Sequence, residues 1–166
     1  MTKLSMGRAC AVAVLALAMA ACGDEAEEVE EGARRTVTSL AEQAEDATRL
    51  TATLSGAEEA PGPGDPDGTG TATVNLDVTD RDVCYEVAVQ KIDPPVGMHI
   101  HEGERGKSGG VVVPLTTPTA SDTTTTGCAN VDAALIARMA ANPGDFYVNV
   151  HTGTYPNGAV RGQLSQ

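Results

Sequence analysis

From Leu50 onward, apolar side chains recur at every second position, the period of a strand with one buried face. In residues 50–54, Leu50, Ala52 and Leu54 alternate with threonine. Ala72, Val74, Leu76 and Val78 alternate with Thr71, Thr73, Asn75 and Asp77. Val83, Tyr85, Val87 and Val89 alternate with Cys84, Glu86 and Ala88. The runs MHIHE (98–102), GVVVPL (110–115), DFYVNVH (145–151) and AVRGQL (159–164) read as further strands. Gly/Pro-rich and Asp-rich stretches between the runs read as turns, and the threonine-rich TASDTTTTG (119–127) as a solvated loop. One segment breaks the period: VDAALIARMAANPG (131–144) has helical spacing at Val131, Leu135 and Met139 and stops at Asn-Pro-Gly. The pattern predicts an all-β fold, an antiparallel Greek-key β-sandwich or barrel with one short helix, over residues 48–166.

The N-terminus has a different character. Lys3 and Arg8 precede an uncharged apolar run over 9–21 that ends in Ala20-Ala21-Cys22. The run is short for a membrane-spanning helix and fits the apolar region of a signal peptide. Small residues followed by cysteine resemble a bacterial lipoprotein signal, although Met19 stands where such signals usually have leucine. The resemblance implies a signal over 1–21, lipidation at Cys22, and a chain held in the cell envelope by acyl chains, outside the cytoplasm. An ordinary secretory signal cut near Ala21 is the alternative. Residues 22–47 then read as an acidic tether, since Asp24, Glu25, Glu27, Glu28, Glu30 and Glu31 repel one another and stay solvated.

Charge and cysteine content narrow the function classes. A net charge of −12 argues against a nucleic-acid partner, whose phosphates need a basic face. It also leaves the lipid, and not the protein surface, as the contact with a membrane. With Cys10 in the signal and Cys22 as anchor, Cys84 and Cys128 remain as a pair in an oxidising compartment and are expected to form a disulfide.

The chain holds three histidines, His99, His101 and His151, all in strand-like runs. Residues i and i+2 of a strand share a face. His99 and His101 therefore point one way, and Met98 and Ile100 the other. By the same parity Asn149 and His151 oppose Val148 and Val150, and Arg161 opposes Val160. If these strands are neighbours, the imidazoles and Arg161 share the outer face of one sheet, and Glu102 is placed to fold back as a fourth group. Converging neutral imidazoles suit copper or zinc. The same residues also suit a polar His–Glu–Arg cluster that fixes strand register. Ser108 in GKSGG has the wrong residue order for a phosphate loop, and the acids of GDPDG (64–68) read as a turn.

The GTGTATVNLD and VCYEVAV strands, the HIHEG phrase with GVVVPL, and the ending YVNVHTGTYPNGAVRGQL resemble a CHRD domain, the module named for its occurrence in chordin, over about residues 50–165. The resemblance implies a β-sandwich in the immunoglobulin or superoxide-dismutase style and supplies no activity. The His-x-His strand is also similar to the copper-ligand strand of copper/zinc superoxide dismutase, and His151 to a later copper ligand of that enzyme. No histidine remains for a bridging ligand or a zinc subsite, so a complete dismutase site is not present. Three readings follow, in this order: an anchored non-catalytic binding or structural module with no catalytic residues and an unidentified protein or small-molecule ligand; a copper- or zinc-binding protein; and an enzyme with dismutase-like chemistry.

Overall fold

The computed structural model describes residues 47–118 and 123–166. The signal, Cys22 and nearly all of the tether lie outside the described residues. Eight strands run in chain order: β1 (Ala47–Ser55), β2 (Thr69–Asp77), β3 (Asp82–Gln90), β4 (Pro95–Glu102), β5 (Gly110–Pro114), β6 (Thr124–Asn130), β7 (Phe146–Thr152) and β8 (Val160–Gln163). One helix, α1 (Ala133–Ala141), lies between β6 and β7. The strands form a sheet in the order β5-β4-β7-β8-β1-β2-β3-β6, every pair antiparallel. β1, β2 and β3 form a meander. The chain then crosses to the β4–β5 hairpin, back to β6, and across again through α1 to the β7–β8 hairpin. These repeated crossings are the expected Greek-key connectivity.

The sheet folds over at one thin seam. β1 and β2 pair along their whole length, whereas β1 and β8 share a single register pair, Ser55↔Arg161, reinforced by the bridge between Thr51 and Ser165. On either side of this line the two four-stranded halves turn their apolar faces to one core. Leu50, Val74, Leu76, Val83 and Val87 come from one half, and Met98, Ile100, Val113, Phe146, Val148 and Val150 from the other. At the far edges, the Tyr85 hydroxyl accepts from the Thr116 backbone N–H at 2.7 Å and brings the sheet close to closure.

Two expectations change. The threonine-rich segment is a loop only in part, because 124–130 forms the edge strand β6, paired with β3 from Asp82↔Asn130 to Ala88↔Thr124. β6 buries no large apolar side chain, so alternation gave no sign of it. Its order comes from the ladder and from the Cys84–Cys128 disulfide, which joins residues directly opposite in register. The helix forms where expected, but Ile136 and Met139 are its fully buried residues, with Val131 and Leu135 packing only partly on the core. Asp132 caps its N-terminus by accepting from the Ala134 N–H at 2.8 Å.

Candidate metal centre

β4 and β7 are neighbours, and antiparallel register sets the candidate residues side by side. Gly97 lies opposite His151, His99 opposite Asn149, and His101 opposite Tyr147. Across the next pair Asn149 lies opposite Arg161. Directly opposed residues point to the same side of a sheet, so these side chains share a face, turned away from the Met98–Ile100–Val148–Val150 core.

The three imidazoles meet there. Each offers one nitrogen, and these atoms lie within 4.8 Å of one another; among the described residues they form the one such group of three or more potential ligands. His99 Nδ1 and His151 Nε2 are 3.2 Å apart. In the metal-free chain this contact is an N–H···N hydrogen bond from His99 to His151, and its length is close to the roughly 3.3–3.4 Å that separates two nitrogens about 2.0–2.1 Å from a tetrahedral ion.

The outer nitrogens of two rings are committed. His101 Nδ1 lies 3.0 Å from the Gly109 carbonyl oxygen, and His151 Nδ1 lies 3.0 Å from that of Pro156. A carbonyl can only accept, so both Nδ1 atoms carry the proton and both Nε2 atoms present a lone pair to the cluster. A ligating histidine is ordinarily held in this way, its second nitrogen donating to a fixed acceptor. The lone pair of His101 Nε2 is buried and has no hydrogen-bond partner among the described residues. Burying such a group unsatisfied costs about 1–3 kcal/mol, which a bound cation offsets.

Proton affinity is low at all three rings. Burial holds the pKa of His99 below the usual 6.5, and the neighbouring His151 and His101 add to the effect. Burial also lowers His101, partly opposed by its bond to Gly109 and reinforced by Arg161. His151 is lowered by burial, against its bond to Pro156, with a further push from His101. Neutral imidazole is the form that binds metal.

Other residues brace the cluster. The Tyr147 ring stacks on His101, centroids 4.8 Å apart and planes within 9°. Its hydroxyl accepts from the Gly109 N–H at 3.1 Å, so one residue holds both the imidazole and its stacking partner. Gly109 has to be glycine, because a Cβ there would collide with the Glu102 carbonyl. The Arg161 guanidinium lies over Tyr147, 3.5 Å from the ring centroid, and donates to the carbonyls of Lys107 and Glu104 at 2.7 and 2.9 Å. The loop 103–109 is thus strapped across the face.

Arg161 shares the expected face but is only 1% exposed, because this loop roofs it. Glu102 does not join the cluster. Its parity is opposite to that of the histidines, and its carboxylate accepts from Arg138 of α1 at 3.0 Å. Residues that the sequence reading passed over contribute instead. Tyr147 has the same parity as Asn149 and His151, a signal present in the sequence. Glu59, from the loop after β1, accepts from the Asn149 side chain at 2.5 Å, a contact across 90 residues with no local signal.

A family model described as CHRD domain matches residues 50–164. No match was found among curated proteins or among solved structures.

Proposed function

The chain belongs to the CHRD-domain family, and from that premise we propose that it is a non-catalytic binding module, lipid-anchored outside the cytoplasm, whose ligand is a copper or zinc ion held by His99, His101 and His151. The carrying observation is the convergence of three imidazole nitrogens within 4.8 Å, two of them with the outer nitrogen committed to a backbone carbonyl. A register-fixing polar cluster accounts less well for a buried His101 Nε2 that bonds to nothing among the described residues. The anchor at Cys22 is supported by the sequence of the N-terminus alone.

Metal content and titration of untagged protein test the reading. The expected result is one copper or zinc ion per chain, lost in His99→Ala and in His151→Ala. Protons compete for the same nitrogens, and the lowered pKa values leave the imidazoles available to acidic pH. Binding is expected to persist at pH 6.5 and to weaken as pH falls below it. Substoichiometric metal that survives both substitutions would rule the site out.

A further inference from the structure

We propose that the Cys84–Cys128 disulfide is a thiol-exchange centre, and that the cavity beside it takes a small zwitterionic thiol of the amino-acid kind. The inference is independent of the metal-binding reading: it lies on the other half of the sheet and uses none of the histidines.

Access comes first. Strand parity turns Leu50, Val74 and Tyr85 to the core. It sets Arg49, Asn75, Cys84 and Cys128 on the outer face of β1, β2, β3 and β6, in one row of directly opposed residues. Cys84 is half-buried and Cys128 is exposed. β6 is an edge, so no strand pairs beyond Cys128 among the described residues. Exposed disulfides are the labile kind that exchange with thiols.

A cavity of about 440 Å³ opens on the same face. Cys84 and Cys128 line one side of it, and it extends over Asn75 and Thr73 to Arg49. Because the cysteines are directly opposed, the S–S bond runs across the strands from β3 to β6. A sulfur resting over Asn75 is therefore in line with Cys84 and the bond behind it, the approach that displacement at sulfur requires.

The lining indicates what the thiol carries. Arg49 and Glu86 border the cavity, both exposed and neither in an ion pair among the described residues. They offer one place for a carboxylate and one for an ammonium group. The backbones of β1 and β3, two strands apart, are separated by about 9–10 Å. The Arg49 side chain and a molecule the size of free cysteine together span that gap.

The exchange balances between the thiol and the pair. The incoming thiolate attacks Cys84 Sγ; a new S–S bond forms, the Cys84–Cys128 bond breaks, and Cys128 leaves as a thiolate that takes a proton from water at the exposed edge. A second thiolate attacks the small-molecule sulfur of the mixed disulfide, frees Cys84 and departs as the small disulfide. Two electrons pass from two thiols to the protein, and the reverse exchange returns them.

The test uses full-length protein, with a chelator to suppress metal-catalysed thiol oxidation, exposed to free cysteine or to mercaptoethanol, a neutral thiol of similar size. Samples are quenched in acid, alkylated and mapped by mass. The expected product under native conditions is a cysteine adduct on Cys84 with Cys128 alkylated. The rate with cysteine divided by the rate with mercaptoethanol cancels any effect of a substitution on the disulfide itself. That ratio should fall about two- to five-fold in Arg49→Gln, the effect of one exposed charge. An adduct on Cys128 overturns the direction of attack. A ratio unchanged in Arg49→Gln overturns the recognition of a zwitterion. Exchange confined to denaturing conditions overturns the centre altogether.

Discussion

At Glu59 the hydrogen bond and the burial pull in opposite directions. Loss of water raises its pKa from 4.5 to about 7, against the Arg161 charge and the Asn149 bond that favour the ionised form. Room for the carboxylate depends on Gly158, whose φ of 143° and missing side chain let Glu59 and Asn149 meet. Between pH 4.5 and 7 the unfolded chain releases a proton that the folded chain keeps. The stability this group contributes is therefore full below pH 4.5 and is lost as pH rises through 7. The histidines act in the other sense: their folded pKa values are lowered, so their contribution is full above 6.5 and lost as pH falls. Glu59→Gln keeps an acceptor for Asn149 and removes only the first effect. In denaturant melts of metal-free protein, the variant is expected to gain on the parent as pH rises from 4.5 to 7 and then to level off. A difference that stays constant over this range would contradict the assignment. Legibility at this scale follows locality. Parity alone puts His99 and His101 on one face, because a strand fixes direction two residues at a time, and His151 joins them because β4 and β7 are neighbours. Glu59 has no such signal, because its partner is brought to it only by the closed fold.

Elements were legible to the extent that they bury something. β2 and β3 alternate Ala72, Val74, Leu76 and Val83, Tyr85, Val87 against polar neighbours, and both form as read. β6 reads TTTGCAN with no fully buried residue, and its strand state is imposed by β3. Threonine, β-branched, tolerates that role well. An edge strand with so little apolar surface relies on its covalent tie. The Cys84–Cys128 bond closes a loop of 44 residues, for which the chain-entropy account gives up to about 4 kcal/mol. Reduction is expected to lower the denaturation midpoint, and backbone hydrogen exchange in 124–130 should quicken before that of β2. If the reduced protein melts at the same midpoint and keeps slow exchange in β6, the bond is incidental to stability.

At the scale of the whole molecule, the proposed attachment to a membrane turns on one atom, the sulfur of Cys22. A domain in a chain of net charge −12 has little to hold it on an anionic bilayer, so the acyl chains would supply the attachment. Cys22→Ala is expected to move the protein from the membrane fraction to the soluble one; retention with membranes equal to the parent would reject the anchor. The thin seam of the sheet then acquires a mechanical meaning. The chain enters the fold at β1, and the three imidazoles sit on β4 and β7, in the opposite half. A tug on the N-terminus, resisted at the histidines, is shared among the core, the line between β1 and β8, and the contacts of Glu59 with Asn149, Asp65 with Ala159 and Tyr85 with Thr116. The β1–β8 line itself is fastened by the Ser55↔Arg161 pair and by two Thr51–Ser165 bonds of 2.7 and 2.9 Å. β1 is gripped far more firmly by β2, along its full length. In a force-extension measurement the halves are expected to part before β1 leaves β2, with the three ligands still together on the half that is not being pulled.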